Sequence, residues 1–261
     1  MSEKPRVELS DSGFRYGLGV FETVVVRKGV ALFYESHLRN LITGAKSIGL
    51  PIDGADNHGA VPEGDGIWRW FLTSSGLNTM FEEGIDHVPA NYTLDLSRLR
   101  VSSEAWDSRL KTLSYLLHYQ ARHETRYDET ILLNEREEIA SASMANVFWL
   151  QEGTLFTPDH SCGCRAGVVR HWVMENWRGE LEQGRWAVEE LEAADEIFVT
   201  NSRIGIMPVI LWRGRNLRIG PDTETLRKLY HAEVEKQLSA ASDTRAFKDI
   251  NEPGLLEDEE P

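Results

Sequence analysis

The chain has 261 residues, 41% of them hydrophobic and 27% charged, and a formal charge of −14 at pH 7. That length holds one large domain or two smaller ones around a core of ordinary size, and so acidic a composition lacks the clustered Lys and Arg that wrapping a nucleic acid requires. No apolar run approaches the roughly 20 residues that span a bilayer, and the start, "MSEKPRVELSDSG", has neither a secretory signal's apolar core nor a transit peptide's acid-poor pattern, so a cytoplasmic protein is expected.

Apolar and β-branched residues run from Leu18 to Phe33 around Arg27, Lys28 and Gly29, which is a hairpin signal. Leu38, Leu41, Ala45 and Ile48 then recur at helical spacing until Gly49 and Pro51 stop the helix. The Gly/Asp-rich stretch 52–66 reads as loop, and "IWRWFLTSSG" and "ANYTLDLSRLRVS" read as strands. Together these form a small N-terminal α+β domain, residues 1–103.

A helix is predicted over 108–124, with Leu110, Leu113, Leu116 and Leu117 on one side and Lys111, Ser114, Tyr115, His118 and Arg122 on the other. Residues 129–158 read as short strands broken at "NERE" and "QEG". A helix at "RAGVVRHWVMENW" follows, then the strand "EIFVTNS", a hairpin across "WRGRN" and a last helix from Asp222 to about Leu238. This larger domain covers 104–240, and 241–261 reads as an acidic, mostly disordered tail. Strands and helices alternate without a regular βαβ rhythm, so the fold class is α+β in two domains.

Two local patterns lead nowhere. Gly17 and Gly19 have the separation of a dinucleotide fingerprint, but the third glycine is missing and the stretch continues as strand. Cys162 and Cys164 are too few for a disulfide framework, and with His160 they miss the usual ligand spacing, so no metal site is expected.

Lys111 is the only lysine between Lys46 and Lys228. Lysine forms Schiff bases, best where burial lowers its pKa, although a lone lysine at a helix start is ordinarily a surface residue. Gly167 stands directly before an apolar helix, where free N–H groups and the positive end of the dipole suit a phosphate. Thr200, Asn201 and Ser202 end an apolar strand, where hydroxyls can meet an oxyanion or close a turn. Lysine, phosphate turn and hydroxyls together suggest pyridoxal 5′-phosphate, PLP.

In these motifs and their order the chain resembles the class IV aminotransferases, the fold-type IV PLP enzymes that include branched-chain and D-amino-acid aminotransferases and aminodeoxychorismate lyase. The resemblance runs from Asp11 to Val209 through "DSGFRYGLGVFETVVVRKG", "SHLRNLITGAKSIGLP", "LKTLSYLLHYQA", "DETILLNEREEIASASMANVFWLQEGTLFTP", "CGCRAGVVR" and "ADEIFVTNSRIGIMPV". It implies a two-domain, D-amino-acid aminotransferase-like architecture and a homodimer with the cofactor between the domains. Lys111 would be the Schiff-base lysine and its general base and acid. The N–H groups of Gly167, Val168 and Val169 would hold the phosphate, with Thr200 adding a hydroxyl. The substrate would be an amino acid undergoing transamination or an amino-chorismate undergoing lysis.

The chain departs from the family pattern at three positions. Ser141 stands where the family has a glutamate against the pyridine nitrogen, Asn40 where an arginine reaches the phosphate, and Leu18 where an acidic residue separates two glycines. Glu138 is no substitute for the first, since three residues along a strand place it about 10 Å away on the opposite face. Arg39 points about 100° around the helix from Asn40. Arg165 and Arg203 are the candidates to replace the missing cation. A serine cannot keep the ring nitrogen protonated as a carboxylate does, which weakens the electron sink and tilts the chemistry toward elimination. The same losses suit a degenerate relative that keeps the fold and acts as a binding protein.

Overall fold

The computed structural model describes residues 7–251. A one-turn helix, α1 (Ser12–Tyr16), is capped by Asp11, whose carboxylate accepts the N–H groups of Gly13 and Phe14. Strand β1 (Gly19–Arg27) turns at Lys28 and Gly29, both at positive φ, into the short β2 (Val30–Ala31). Helix α2 (Tyr34–Ser47) ends before Gly49, whose φ of 72° stops it as expected. Strands β3 (Gly66–Thr73) and β4 (Gly76–Glu83) complete a four-stranded antiparallel sheet in the order β2-β1-β3-β4. Leu41 and Ala45 of α2 close its core over Val24, Val26, Trp68 and Trp70.

The next strand, β5 (Tyr92–Val101), falls within the expected N-terminal domain but belongs to the other sheet. It pairs in parallel with β6 (Glu129–Asn134), so the division between sheets lies between Glu83 and Tyr92. Between β5 and β6 come two short helices, α3 (Trp106–Arg109) and α4 (Leu116–Glu124). The chain continues through β7 (Ile139–Ala142), β8 (Asn146–Gln151), β9 (Thr154–Pro158), α5 (Val168–Asn176), β10 (Leu181–Gly184) and α6 (Glu189–Ala193). It finishes with β11 (Glu196–Asn201), β12 (Gly205–Trp212), β13 (Arg215–Asn216) and α7 (Pro221–Asn251). The sheet order is β10-β9-β8-β11-β12-β5-β6-β7, with β13 paired to β12.

Alternation on the central strands fills both faces of this sheet. Trp149 and Val199 point to one side with Met207 and Val209. Phe148 and Phe198 point to the other, under Val169 and Val173 of α5 and Leu226 and Val234 of α7. Val25 and Ile67 of the first sheet, with Leu32 just after β2, join that second cluster, so the two sheets share apolar packing. The last helix does not end near Leu238 but runs on to Asn251, and the rest of the acidic tail lies outside the described residues.

Candidate active site

Lys111 is not on a helix. The predicted helix 108–124 is broken into α3 and α4, and the residues between them are stitched to β1. The Phe21 N–H donates to the Lys111 carbonyl at 2.8 Å, and the Leu113 N–H donates to the Gly19 carbonyl at 3.0 Å. Leu113 packs so close that a Cβ on Gly13 or Gly19 would lie 2.8 or 2.5 Å from its methyl group. This pairing outweighs the helical pattern of leucines, and Leu116, counted on the apolar side, is 69% exposed.

The lysine thereby sits at the seam between the two sheets, on the wall of a cavity of about 750 Å³. Its Nζ lies 4.3 Å from the centroid of the Phe21 ring and 6.0 Å from that of Tyr115. No carboxylate forms an ion pair with it among the described residues.

Tyr115, which sequence reasoning placed beside Lys111 without giving it a role, is central. Its phenol is bound by Arg165 Nη1 at 2.9 Å, and the guanidinium also lies over its ring at 4.6 Å. Burial pushes the phenol's pKa up, but the charges of Arg165 and Lys111 outweigh that and hold it below the usual tyrosine range. His118 stacks beneath the ring at 5.2 Å and donates from Nδ1 to the Ser143 carbonyl at 2.9 Å. Burial, with Arg165 and Lys111 nearby, pushes its pKa down to about 3, so it is a neutral strut. The signal for this trio is the Lys, Tyr and His spacing in "KTLSYLLH", but the partners come from far along the chain.

The turn before α5 is built by two asparagines. Asn146 Nδ2 donates to the Arg165 carbonyl at 2.9 Å, and Asn40 Nδ2 donates to the Ala166 carbonyl at 2.9 Å. Asn40 thus shapes the turn, although it cannot supply a cation. Gly167 is required because any Cβ there would collide with Asn146 Oδ1. Its own N–H closes onto the Arg165 carbonyl at 3.0 Å, which leaves Val168 and Val169 as the open first-turn donors of α5. No side chain caps this helix. Thr200 pairs with Asn146 across β11 and β8, and its buried Oγ1 has no partner. Uncapped N–H groups beside an orphaned hydroxyl are what a phosphate would satisfy.

Ser141 is buried on β7 opposite Leu132 and lines the cavity. The buried carboxyl near it is Glu129, which the sequence did not single out. Glu129 accepts from the N–H groups of Thr130, Ser143 and Met144 at 2.9, 3.1 and 3.0 Å, and from the Ser143 hydroxyl. Burial pushes its pKa up against those donors, and its acceptor sites are filled by the turn it braces. Glu138 is turned away toward Asn134 and Arg136. Arg39 is exposed, and Arg203, on the cavity rim, is bonded to Asp86. Of the residues named from the sequence, Lys111, Asn40, Ser141, Arg165, Gly167, Val168 and Thr200 share the cavity wall, while Val169 packs into the core behind it. Among the described residues no cluster of His, Cys, Asp or Glu could hold a metal.

A lysine, an uncapped helix N-terminus and an unpartnered hydroxyl line one cavity. Residues 78–212 match the family described as amino-transferase class IV. The chain is 25% identical over 262 residues to the aminodeoxychorismate lyase of Bacillus subtilis, covering 87% of this chain and 89% of that one. The solved 4-amino-4-deoxychorismate lyase of Pseudomonas aeruginosa is 26% identical with a TM-score of 0.78, over 86% of this chain and 95% of its own. The branched-chain aminotransferase of Thermoproteus uzoniensis shares the fold at a TM-score of 0.79 and 24% identity, over 91% and 94%. The chain belongs to the class IV aminotransferase family and has that family's two-domain α+β fold. Nothing in these likenesses favours a degenerate binding protein.

Proposed function

We propose that the chain is a PLP-dependent enzyme that works on a small amino acid or amino-chorismate and favours elimination over transamination. The observation that carries this is Lys111 held on the same cavity as the open N–H groups of Val168 and Val169 and the orphaned Thr200 hydroxyl. PLP, when bound, supplies a conjugated ring that takes up electron density from the carbon bearing the substrate's amine.

The rest falls to the chain's own residues. Val168, Val169 and Thr200 would hold the phosphate; Lys111 Nζ would be the point of attachment for the cofactor and, once free, the base and acid that moves the proton at the carbon bearing the amine. Tyr115, held by Arg165, would supply a hydroxyl donor to an oxygen of the cofactor. Arg122 lines the cavity, forms no ion pair among the described residues and is placed to meet a substrate carboxylate. Ser141 would offer the ring nitrogen a hydroxyl in place of a charge, which supports elimination, as does the likeness to the two lyases.

Phe14 and Tyr16 on α1 and Leu116 and Tyr119 on α4 are all more than half exposed, and Gly17, which caps α1, lies against Ser114, two residues before α4. These exposed apolar side chains support a homodimer. The test is absorption with added PLP, followed by borohydride reduction and peptide mapping. A phosphopyridoxyl group fixed on Lys111 is expected; a protein that takes up no PLP, or fixes it elsewhere, overturns the proposal.

A further inference from the structure

Glu22, His37 and Ser202 form one hydrogen-bonded line that none of these steps uses. Glu22 Oε2 lies 2.7 Å from His37 Nδ1, and His37 Nε2 lies 3.3 Å from Ser202 Oγ. The carboxylate comes from β1, the imidazole from α2 and the hydroxyl from the turn between β11 and β12, so the line crosses from the small sheet to the large one. His37 is 1% and Glu22 5% exposed, while Ser202 opens on the cavity.

The proton order follows from the groups themselves. A carboxylate only accepts, so His37 Nδ1 donates to Glu22; in the tautomer with its one ring proton there, Nε2 accepts a hydrogen bond from the Ser202 hydroxyl. The serine oxygen then faces the cavity with its lone pairs. Ser202 lies two residues beyond Thr200, at most about 7 Å along the backbone, so a molecule anchored at the phosphate turn comes within its reach. A nucleophilic role does not fit. The Arg203 and Ile204 N–H groups, which an oxyanion would need, are both bound to Asn201 Oδ1 at 2.9 Å.

We propose that Ser202 is a substrate-contacting residue, oriented by His37 and Glu22 as positioning residues, that presents an acceptor oxygen to an N–H or O–H donor of the amine entering the cavity. This rests on the amine-transforming reading above and adds a specificity element to it: substrates with a donor at that point are preferred over isosteres without one.

The test uses the full chain loaded with PLP, with 4-amino-4-deoxychorismate, L-alanine and D-alanine as probes. Ser202→Ala is expected to raise KM about tenfold for the substrate turned over best, with kcat within about twofold and PLP affinity unchanged; Ser202→Thr restores KM. In a Glu22→Gln background, Ser202→Ala should cost clearly less, because the hydroxyl is no longer held. An unchanged KM in Ser202→Ala overturns the proposal, as does a loss of PLP affinity, which would make Ser202 a cofactor ligand. The Ser202 variants decide the matter even if Glu22→Gln does not fold. A parent protein that takes up PLP but converts none of the three probes removes the underlying reading and this inference together.

Discussion

The phenol of Tyr115 and the guanidinium of Arg165 meet at 2.9 Å across fifty residues of chain, and this contact fixes the charge beside Lys111. Arg165→Ala is expected to raise the pKa of the Tyr115 phenol, because burial would then act with less opposition. An ultraviolet difference titration, with Tyr115→Phe to identify the signal, measures it. A phenol that titrates as in the parent would show that Arg165 does not act on Tyr115.

His118 makes stability depend on acid. Its pKa is about 3 in the folded protein and about 6.5 in an unfolded chain, so between those values the unfolded state binds more protons. The stability it contributes is present above about pH 6.5 and is lost as pH falls toward 3, by up to about 5 kcal/mol. Urea denaturation of the parent and His118→Gln from neutral to acid pH checks this. The variant should lose less stability on acidification, and parallel curves would refute it.

Thr200→Val separates folding from cofactor binding. The Thr200 hydroxyl is buried without a partner, so replacing it with a methyl group should leave stability equal or slightly higher. PLP affinity should nevertheless fall about tenfold through the lost phosphate contact. Melting curves of the cofactor-free protein and an absorbance titration with PLP give the two numbers.

Ser141→Glu should move product partition toward transamination by placing a carboxylate against the ring nitrogen. The readout is the ratio of eliminated to transaminated product from a single amine. An unchanged ratio would mean that position 141 does not set the reaction type.

What was legible in the sequence was local. The hairpin at Lys28 and Gly29, the stop of α2 at Gly49 and the helix start at Gly167 each depend on one residue's backbone conformation or its immediate neighbours. Lys111, Gly167 and Thr200 could be singled out because a lone lysine, a glycine before a helix and a hydroxyl after a strand have chemistry that spacing alone suggests.

Tertiary pairing decided the rest. The leucines of 108–124 satisfy a helix as well as they satisfy an extended link under two glycines, and the choice was made by β1, some ninety residues earlier. β5 reads as strand from its residues, but parallel partners on both sides put it in the larger sheet. Glu129 and the line from Glu22 through His37 to Ser202 acquire meaning only when burial removes water and leaves each polar group to find a partner in space. The sequence by itself therefore determined which residues could do chemistry and where the backbone must turn. Which of them face one cavity was left to long-range packing, because hydrogen bonds and burial depend on distance in space and not along the chain.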